Sequence, residues 1–191
     1  MRHTAIVALL TAVVAAGIAV GAQAQTHKSA KSKGTEAVAD SKGNLHVPYA
    51  YKTTYQYLGS WAVAVDQGQG AKQLHVVYAS PGTVTGYLKT GAFPAGTVLV
   101  KEVYMAATAP MSTGVVSHEG TLQGWFVMVK GDNARYSGNS LWGDGWGWSW
   151  FDAKNPVKTT STDYKSDCKS CHIPAQSTDW IYVGGYPSLT K

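Results

Sequence analysis

Alternating hydrophobic and polar positions mark five strands along the chain. These stretches are rich in β-branched and aromatic residues and repeat with the period of two that is typical of β-strands. They cover residues 55–65, 73–79, 97–105, 122–130 and 146–151. Ser80 and Pro81 have the types of an N-cap and a first helical residue, and they predict a short helix that ends at Gly91. Because no long helical crossover separates the strands, we predict a mainly β (α+β) fold: an antiparallel sheet with a few short helices.

The last predicted strand alternates tryptophan with small residues. Trp146, Trp148 and Trp150 fall on one face, and Gly147 and Ser149 fall on the other. The tryptophan face is suited to packing on the core or on a partner subunit. Alternatively, the small residues would let a flat ligand approach the backbone closely.

The strand over 97–105 carries two adjacent charges. Period two places Lys101 on the face of Leu99 and Val103, and it places Glu102 on the opposite face. One charge therefore points inward, unless this is an edge strand whose end is solvated. A buried lysine loses its proton readily and can act as a nucleophile.

Residues 1–24 have the organisation of an export signal. A positive start precedes an apolar run over 5–20 and a small-x-small cleavage site that ends at Ala24. The run is short for a membrane span, so we expect cleavage and a periplasmic protein with no membrane span after it. Residues 25–46 lack an apolar period and predict a flexible N-terminal tail. A single domain over 47–191 is expected to follow.

Composition excludes several classes of protein. Hydrophobic residues make up 45% of the 191 residues and charged residues only 14%, which excludes a largely disordered chain and a coiled coil. The formal charge of +5 is mild, and no basic stripe is interleaved with aromatic residues. We therefore expect no nucleic-acid partner.

The only two cysteines form a C-x-x-C-H motif with Cys168, Cys171 and His172. This spacing attaches a c-type haem: each thiol reaches one vinyl group, and the histidine is the proximal iron ligand. A thioredoxin-like site would follow a strand in a βαβ pattern, and a zinc site would need further ligands. A structural disulfide would not explain the adjacent histidine. All four methionines precede the motif, so we expect an open sixth position on the iron.

The chain resembles the cytochrome P-460 family, which also contains the cytochromes c′-beta, from about residue 45 to its end. Residues 90–102 read T-G-A-F-P-A-G-T-V-L-V-K-E, upstream of the haem motif. Tyr78, residues 86–89, Thr178-Asp179 and Tyr186-Pro187 match as well. The resemblance implies a mainly antiparallel β fold and usually a homodimer. It also implies one covalent haem c, held through Cys168 and Cys171 and lying against the sheet.

Lys101 stands where the cytochromes P-460 have a lysine bonded to a meso carbon of the porphyrin. The resemblance therefore implies a haem cross-link at Lys101. It also implies oxidation of hydroxylamine, towards nitrous oxide or nitric oxide, at the open distal site. Electrons would pass to an outside acceptor, for which a redox partner cytochrome is a candidate.

The distal residues depart from the pattern of these enzymes. Phe126 occupies the place of the family's distal carboxylate, and Glu119 is the nearest acid upstream. His75 falls at the position of a basic distal residue and is the candidate for proton handling. Phe126 instead suits the apolar distal cap of a cytochrome c′-beta, which implies nitric oxide binding without catalysis. A third alternative is electron transfer, with Met128 or His75 as the distal ligand.

The second ring nitrogen of His172 needs a hydrogen-bond partner, as axial histidines usually have one. Asp179 and Tyr182 follow the haem motif and are two candidates for that role. A backbone carbonyl would serve equally well.

Overall fold

A computed structural model describes residues 37–190 and shows one six-stranded antiparallel sheet in that part of the chain. The strands are β1 (Gln56–Ala64), β2 (Ala71–Ala79), β3 (Val98–Met111), β4 (Gly114–Lys130), β5 (Trp142–Gly143) and β6 (Trp146–Asp152). Their spatial order is β1-β2-β3-β4-β6-β5. The predicted mainly β fold is confirmed. The predicted signal peptide, residues 1–24, lies outside the described residues.

The helical elements are short. They comprise α1 (Tyr51–Thr54), α2 (Thr83–Thr90) and α3 (Ser170–His172), a π-helical turn over Lys165–Lys169, and 3₁₀ turns over Asn133–Tyr136, Ile173–Thr178, Val183–Gly185 and Pro187–Leu189. No helix in the described part of the chain is long and apolar enough to cross a membrane.

Helix α2 ends as predicted and begins later than predicted. Gly91 closes it in the left-handed conformation, with φ of +75°, which a glycine adopts without steric cost. Its N-cap is Gly82, not Ser80. The Ser80 hydroxyl instead accepts a hydrogen bond from the backbone N–H of Val98 at 2.9 Å, so it fixes the start of β3.

Strands β3 and β4 form a hairpin that is much longer than predicted. The sequence predicted strands only over 97–105 and 122–130, but pairing continues from Ala106 opposite Glu119 to Met111 opposite Gly114. Most residues of this arm are exposed on both faces. Neither face is selected for burial, so the hydrophobic alternation that reveals a strand is missing there.

Each face of the sheet is covered by a different end of the chain. We call the face beneath the C-terminal segment the front face; its core includes Leu99, Met128, Trp146 and Trp148 with Cys168, Trp180, Ile181 and Tyr186. We call the other the back face; its core includes Val98, Val100, Val127 and Phe151 with Val38, Leu45, Val47 and Tyr51. The sheet therefore lies between two covering segments.

Two further expectations from the sequence are not met. The flexible tail was expected to continue to residue 46, yet Val38 and Leu45 are only 3% and 2% exposed in the back-face core. The edge-strand alternative for residues 97–105 is excluded, because β3 lies between β2 and β4. Lys101 and Glu102 therefore both point away from bulk water, on opposite faces.

The tryptophan stripe of β6 packs on the front face. Trp146 and Trp148 are almost completely buried in that core. The opposite, small-residue face does not accept a ligand, because the Trp142 ring covers it: a Cβ added to Gly147 would lie 2.7 Å from that ring. Close packing of Trp142 explains the glycine.

Candidate functional site

A cavity of about 530 Å³ lies between the front face and the C-terminal segment. This volume is within the usual range for cofactor and ligand sites, about 300–1,000 Å³. Its lining brings together all six residues that the sequence singled out: His75, Lys101, Phe126, Cys168, Cys171 and His172. These residues are separated by up to 97 positions in the chain, so the fold alone assembles them.

The sheet register fixes the order of side chains along the cavity wall. Lys101 pairs with Val77 on one side and with Phe126 on the other. On one side of Lys101, the paired residues Leu99, Met128 and Trp148 form a row across the front face. On its other side, the pair of Val103 and His75 forms the next row. Residues two apart on a strand are about 7 Å apart. His75 is thus about 14 Å along the strands from the row of Trp148.

His172 is held at the Trp148 end of the cavity. Its ring packs edge-on against Trp148, with ring centroids 5.0 Å apart, and its Nδ1 lies 2.6 Å from the carbonyl oxygen of Trp180. A carbonyl only accepts, so Nδ1 carries the hydrogen and donates it. Nε2 then keeps its lone pair, which is the form that ligates a metal. Burial lowers the pKa of His172, which favours the neutral ring.

The carbonyl of Trp180 settles which partner His172 uses. Asp179 and Tyr182 were the side-chain candidates from the sequence, and neither contacts the histidine nitrogen. The Tyr182 hydroxyl donates to the backbone carbonyl of Cys171 at 2.5 Å, and Asp179 pairs with Lys130. Residue types could not reveal the partner, because any residue can supply a backbone carbonyl.

Both thiols of the motif lie on the same cavity wall as His172. The π-helical turn over Lys165–Lys169 continues directly into α3, so Cys168 and Cys171 are one helical turn apart. They are not joined in a disulfide. Burial raises the pKa of Cys168 to about 11, so its thiol stays protonated. A c-type haem requires two thiols for its thioether bonds, a neutral imidazole to bind the iron, and an apolar wall. The cavity provides all of these.

Lys101 reaches into the middle of the cavity. Its Nζ lies 4.4 Å from the centroid of the Phe126 ring, a cation–π contact. Burial lowers the pKa of Lys101. A lowered pKa increases the share of neutral amine, which is the nucleophilic form.

His75 lies at the far end of the cavity from His172. Its Nε2 is 3.2 Å from the side-chain oxygen of Gln73, so Nε2 donates and Nδ1 keeps a lone pair. Burial, with a smaller effect from the charge of Lys101, lowers the pKa of His75 to about 4. The ring is therefore neutral at pH 7. The sequence did not indicate Gln73, because a single glutamine in a strand carries no pattern.

No free carboxylate faces the described part of the cavity. Asp167 is the only acid in its lining, and one of its oxygens already accepts from the backbone N–H groups of Thr162 and Asp163. Glu119 belongs to the exposed arm of the hairpin, opposite Ala106. At the position where the sequence suggested a missing acid, Phe126 packs on Trp150 with centroids 4.5 Å apart. These two rings form an apolar part of the cavity wall.

A family model described as Cytochrome P460 matches residues 48–183 of the chain. The matched range includes Lys101 and the complete C-x-x-C-H motif. No curated protein gives a significant match.

Proposed function

Because the chain belongs to the cytochrome P460 family and is a c-type haem protein, we propose that it oxidises hydroxylamine towards nitrous oxide or nitric oxide. One observation carries the proposal: the Lys101 amine lies in the same cavity as the C-x-x-C-H motif. Lys101 lies in the middle of the sheet and pairs with no carboxylate in the described structure. Such a lysine is typical of a functional site.

We propose that Cys168 and Cys171 hold one haem c through thioether bonds. Each S–H adds across one vinyl group, so no atom is lost in the attachment. Nε2 of His172 would bind the iron, since Nδ1 is committed to the Trp180 carbonyl. When bound, the haem supplies the redox centre that takes up electrons from the substrate.

The Lys101 amine is proposed to bond to a meso carbon of the porphyrin. Forming this N–C bond would remove one N–H and one C–H hydrogen, so it would need a two-electron oxidant; we propose a peroxide, which the two protons and two electrons would reduce to two waters. The neutral amine must be the reacting form. Burial of Lys101, which lowers its pKa, prepares it for this role.

Proton handling is proposed for His75, because oxidation of hydroxylamine releases protons that need an acceptor. Its ring is neutral at pH 7, and the contact with Gln73 leaves the Nδ1 lone pair available. Phe126 and Trp150 form an apolar wall beside it.

Nitric oxide binding without catalysis is the second candidate function. It is favoured by Phe126, which caps the cavity where an acid would otherwise assist proton transfer. An apolar cap admits a small uncharged gas and offers it no hydrogen bond. Electron transfer is the weakest candidate, since it needs Met128 or His75 as a sixth ligand; a low-spin ferric spectrum would identify it.

The compartment, the oligomeric state and the electron acceptor are also proposals. The signal-like sequence of residues 1–24 supports export to the periplasm. We propose a homodimer and a partner cytochrome as electron acceptor, both from the family resemblance. Size-exclusion chromatography with light scattering would test the dimer.

Replacing Lys101 tests the proposal. The holoprotein and its Lys101→Met variant would be produced with haem-attachment machinery, then compared in ferrous absorption spectrum and in hydroxylamine-dependent reduction of an acceptor dye. We expect a strongly red-shifted ferrous Soret band and turnover in the wild type, and loss of both in the variant. Lys52→Met is the matched control, because Lys52 lies on the back face.

Two other results would contradict the proposal. An unchanged spectrum and rate in Lys101→Met would exclude the cross-link at this residue. An ordinary five-coordinate ferrous spectrum in the wild type, with nitric oxide binding and no turnover, would establish the second candidate function instead.

A further inference from the structure

The turn that follows the haem motif has an unusual backbone. Asp179 and Trp180 are consecutive and both lie in the left-handed region, with φ of +58° and +69°. Residues other than glycine avoid this region because Cβ crowds the backbone. A pair of them persists only when surrounding contacts hold it. This turn carries the Trp180 carbonyl that accepts the hydrogen bond of His172 at 2.6 Å.

Asp179 ties that turn to three other parts of the fold through its carboxylate and its backbone carbonyl. Its Oδ1 accepts from Nζ of Lys130, the last residue of β4, at 2.6 Å. Its Oδ2 accepts from the backbone N–H of Phe93, after α2, at 3.2 Å. Trp146 of β6 donates its Nε1–H to the Asp179 backbone carbonyl at 3.1 Å. The turn is therefore fixed to the rigid sheet and not only to its own segment.

The ion pair of Lys130 and Asp179 is set into the protein. The two side chains are only 20% and 18% exposed, so solvent screens their attraction less than it screens a surface pair. The Lys130 ammonium also lies 5.0 Å from the ring centroid of Trp146. Gly145 leaves the room it needs, because a Cβ there would lie 2.9 Å from Nζ.

We propose that Asp179 is a positioning residue that, through the Trp180 carbonyl, sets how strongly His172 donates electrons to the haem iron. This inference rests on the proposed haem attachment with His172 as axial ligand. A strong hydrogen bond from Nδ1–H makes the imidazole a more basic ligand. A more basic axial ligand stabilises ferric iron and lowers its reduction potential. Releasing the turn lengthens the bond and reverses both effects.

Two substitutions separate the anchor from the backbone conformation. Asp179→Gly adopts the left-handed region freely and removes every carboxylate contact, including the longer one of 3.4 Å between Trp146 Nε1 and Oδ1. Asp179→Asn also tolerates that region and keeps a hydrogen-bond acceptor, but loses the charge. Lys130→Met removes only the partner cation, and it serves as a second variant if Asp179→Gly does not accumulate. Lys52→Met is the control, since it breaks a lysine–carboxylate pair on the back face.

The test is resonance Raman spectroscopy of the ferrous holoproteins, together with potentiometric titration. We expect the iron–histidine stretching frequency to fall and the midpoint potential to rise. The effect should be largest in Asp179→Gly and smaller in Asp179→Asn and Lys130→Met. Lys52→Met should also lower stability but keep both wild-type values. If Asp179 only stabilised the fold, its variants would keep both values as well.

Wild-type frequency and potential in Asp179→Gly, or in Lys130→Met where the first does not accumulate, would overturn the inference and leave the proposed function intact. Absence of an iron–histidine band in a wild type whose ferrous haem is five-coordinate and high-spin has a different meaning. It would overturn the haem attachment through His172, and this inference with it.

Discussion

Adjacent residues of β3 carry opposite charges to opposite faces of one sheet, and their surroundings differ completely. On the back face the Glu102 carboxylate is 2% exposed, accepts a hydrogen bond from the Tyr51 hydroxyl and pairs with Lys52 at 2.7 Å. On the front face no carboxylate in the described structure pairs with Lys101, and its ammonium lies over the Phe126 ring.

The difference distinguishes a buried charge that stabilises the fold from one that is available for chemistry. A buried charge whose partners satisfy it is explained by the fold that it helps to hold. The pairing raises the pKa of Lys52, while burial raises that of Tyr51, so both stay protonated towards Glu102. A buried amine without such partners has a lowered pKa and faces a cavity, which is the arrangement of a functional site.

The largest expected effect comes from removing Glu102. Glu102→Ala leaves the Tyr51 hydroxyl and the Lys52 ammonium without their acceptor, so we expect the free energy of unfolding to fall by about 3 kcal/mol. Lys101→Met removes an unpaired buried charge, so we expect no loss and a gain of up to about 1 kcal/mol. Urea denaturation of the chains produced without haem, in which Lys101 carries no cross-link, measures both. Equal losses of unfolding free energy in Glu102→Ala and Lys101→Met would contradict the proposed difference between the two faces.

Lowering the pH should reduce the stability of the fold, because His75 on the front face becomes protonated. Its pKa is about 4 in the folded chain against 6.5 for an unperturbed ring, so the unfolded state binds the proton more readily. The stabilisation is complete above pH 6.5 and is lost as the pH falls through 4. After allowance for solvent screening this amounts to about 2 kcal/mol.

Chemical denaturation of the chain produced without haem, between pH 4 and pH 7.5, measures this pH dependence. His75→Leu is expected to have a flatter stability profile over that range. The same slope in His75→Leu as in the wild type would show that His75 is not the responsible group.

The smallest effect is expected from Trp125 on the back face. Its Nε1–H donates to the Tyr51 hydroxyl at 2.9 Å, and Trp125→Phe removes this one hydrogen bond. We expect a loss of about 1 kcal/mol in unfolding free energy. The haem spectrum and hydroxylamine oxidation should stay unchanged. A spectral change would mean that the two faces are coupled through the sheet.

The sequence predicted those parts of the molecule whose signals are local. Strand alternation located β2, β4 and β6, because each has a buried face. The C-x-x-C-H motif was visible because its three residues fit one helical turn. Period two also placed Lys101 and Glu102 on opposite faces, although it could not show that both faces are covered.

The remaining features depend on contacts between distant residues. Lys130 and Asp179 are 49 positions apart, and neither has a pattern that identifies its partner. The partner of His172 is a backbone carbonyl, which no residue type encodes. The exposed hairpin arm lacks alternation, and burial of Val38 depends on a sheet formed by residues far along the chain.

The most direct test of the Lys101 assignment is mass spectrometry of haem peptides after proteolysis of the wild-type holoprotein, with its ferrous absorption spectrum. We predict one haem that links the peptide of Cys168 and Cys171 to the peptide of Lys101, with a strongly red-shifted ferrous Soret band. Haem found only on the cysteine peptide, with an ordinary ferrous band, would contradict the assignment and favour the gas-binding function.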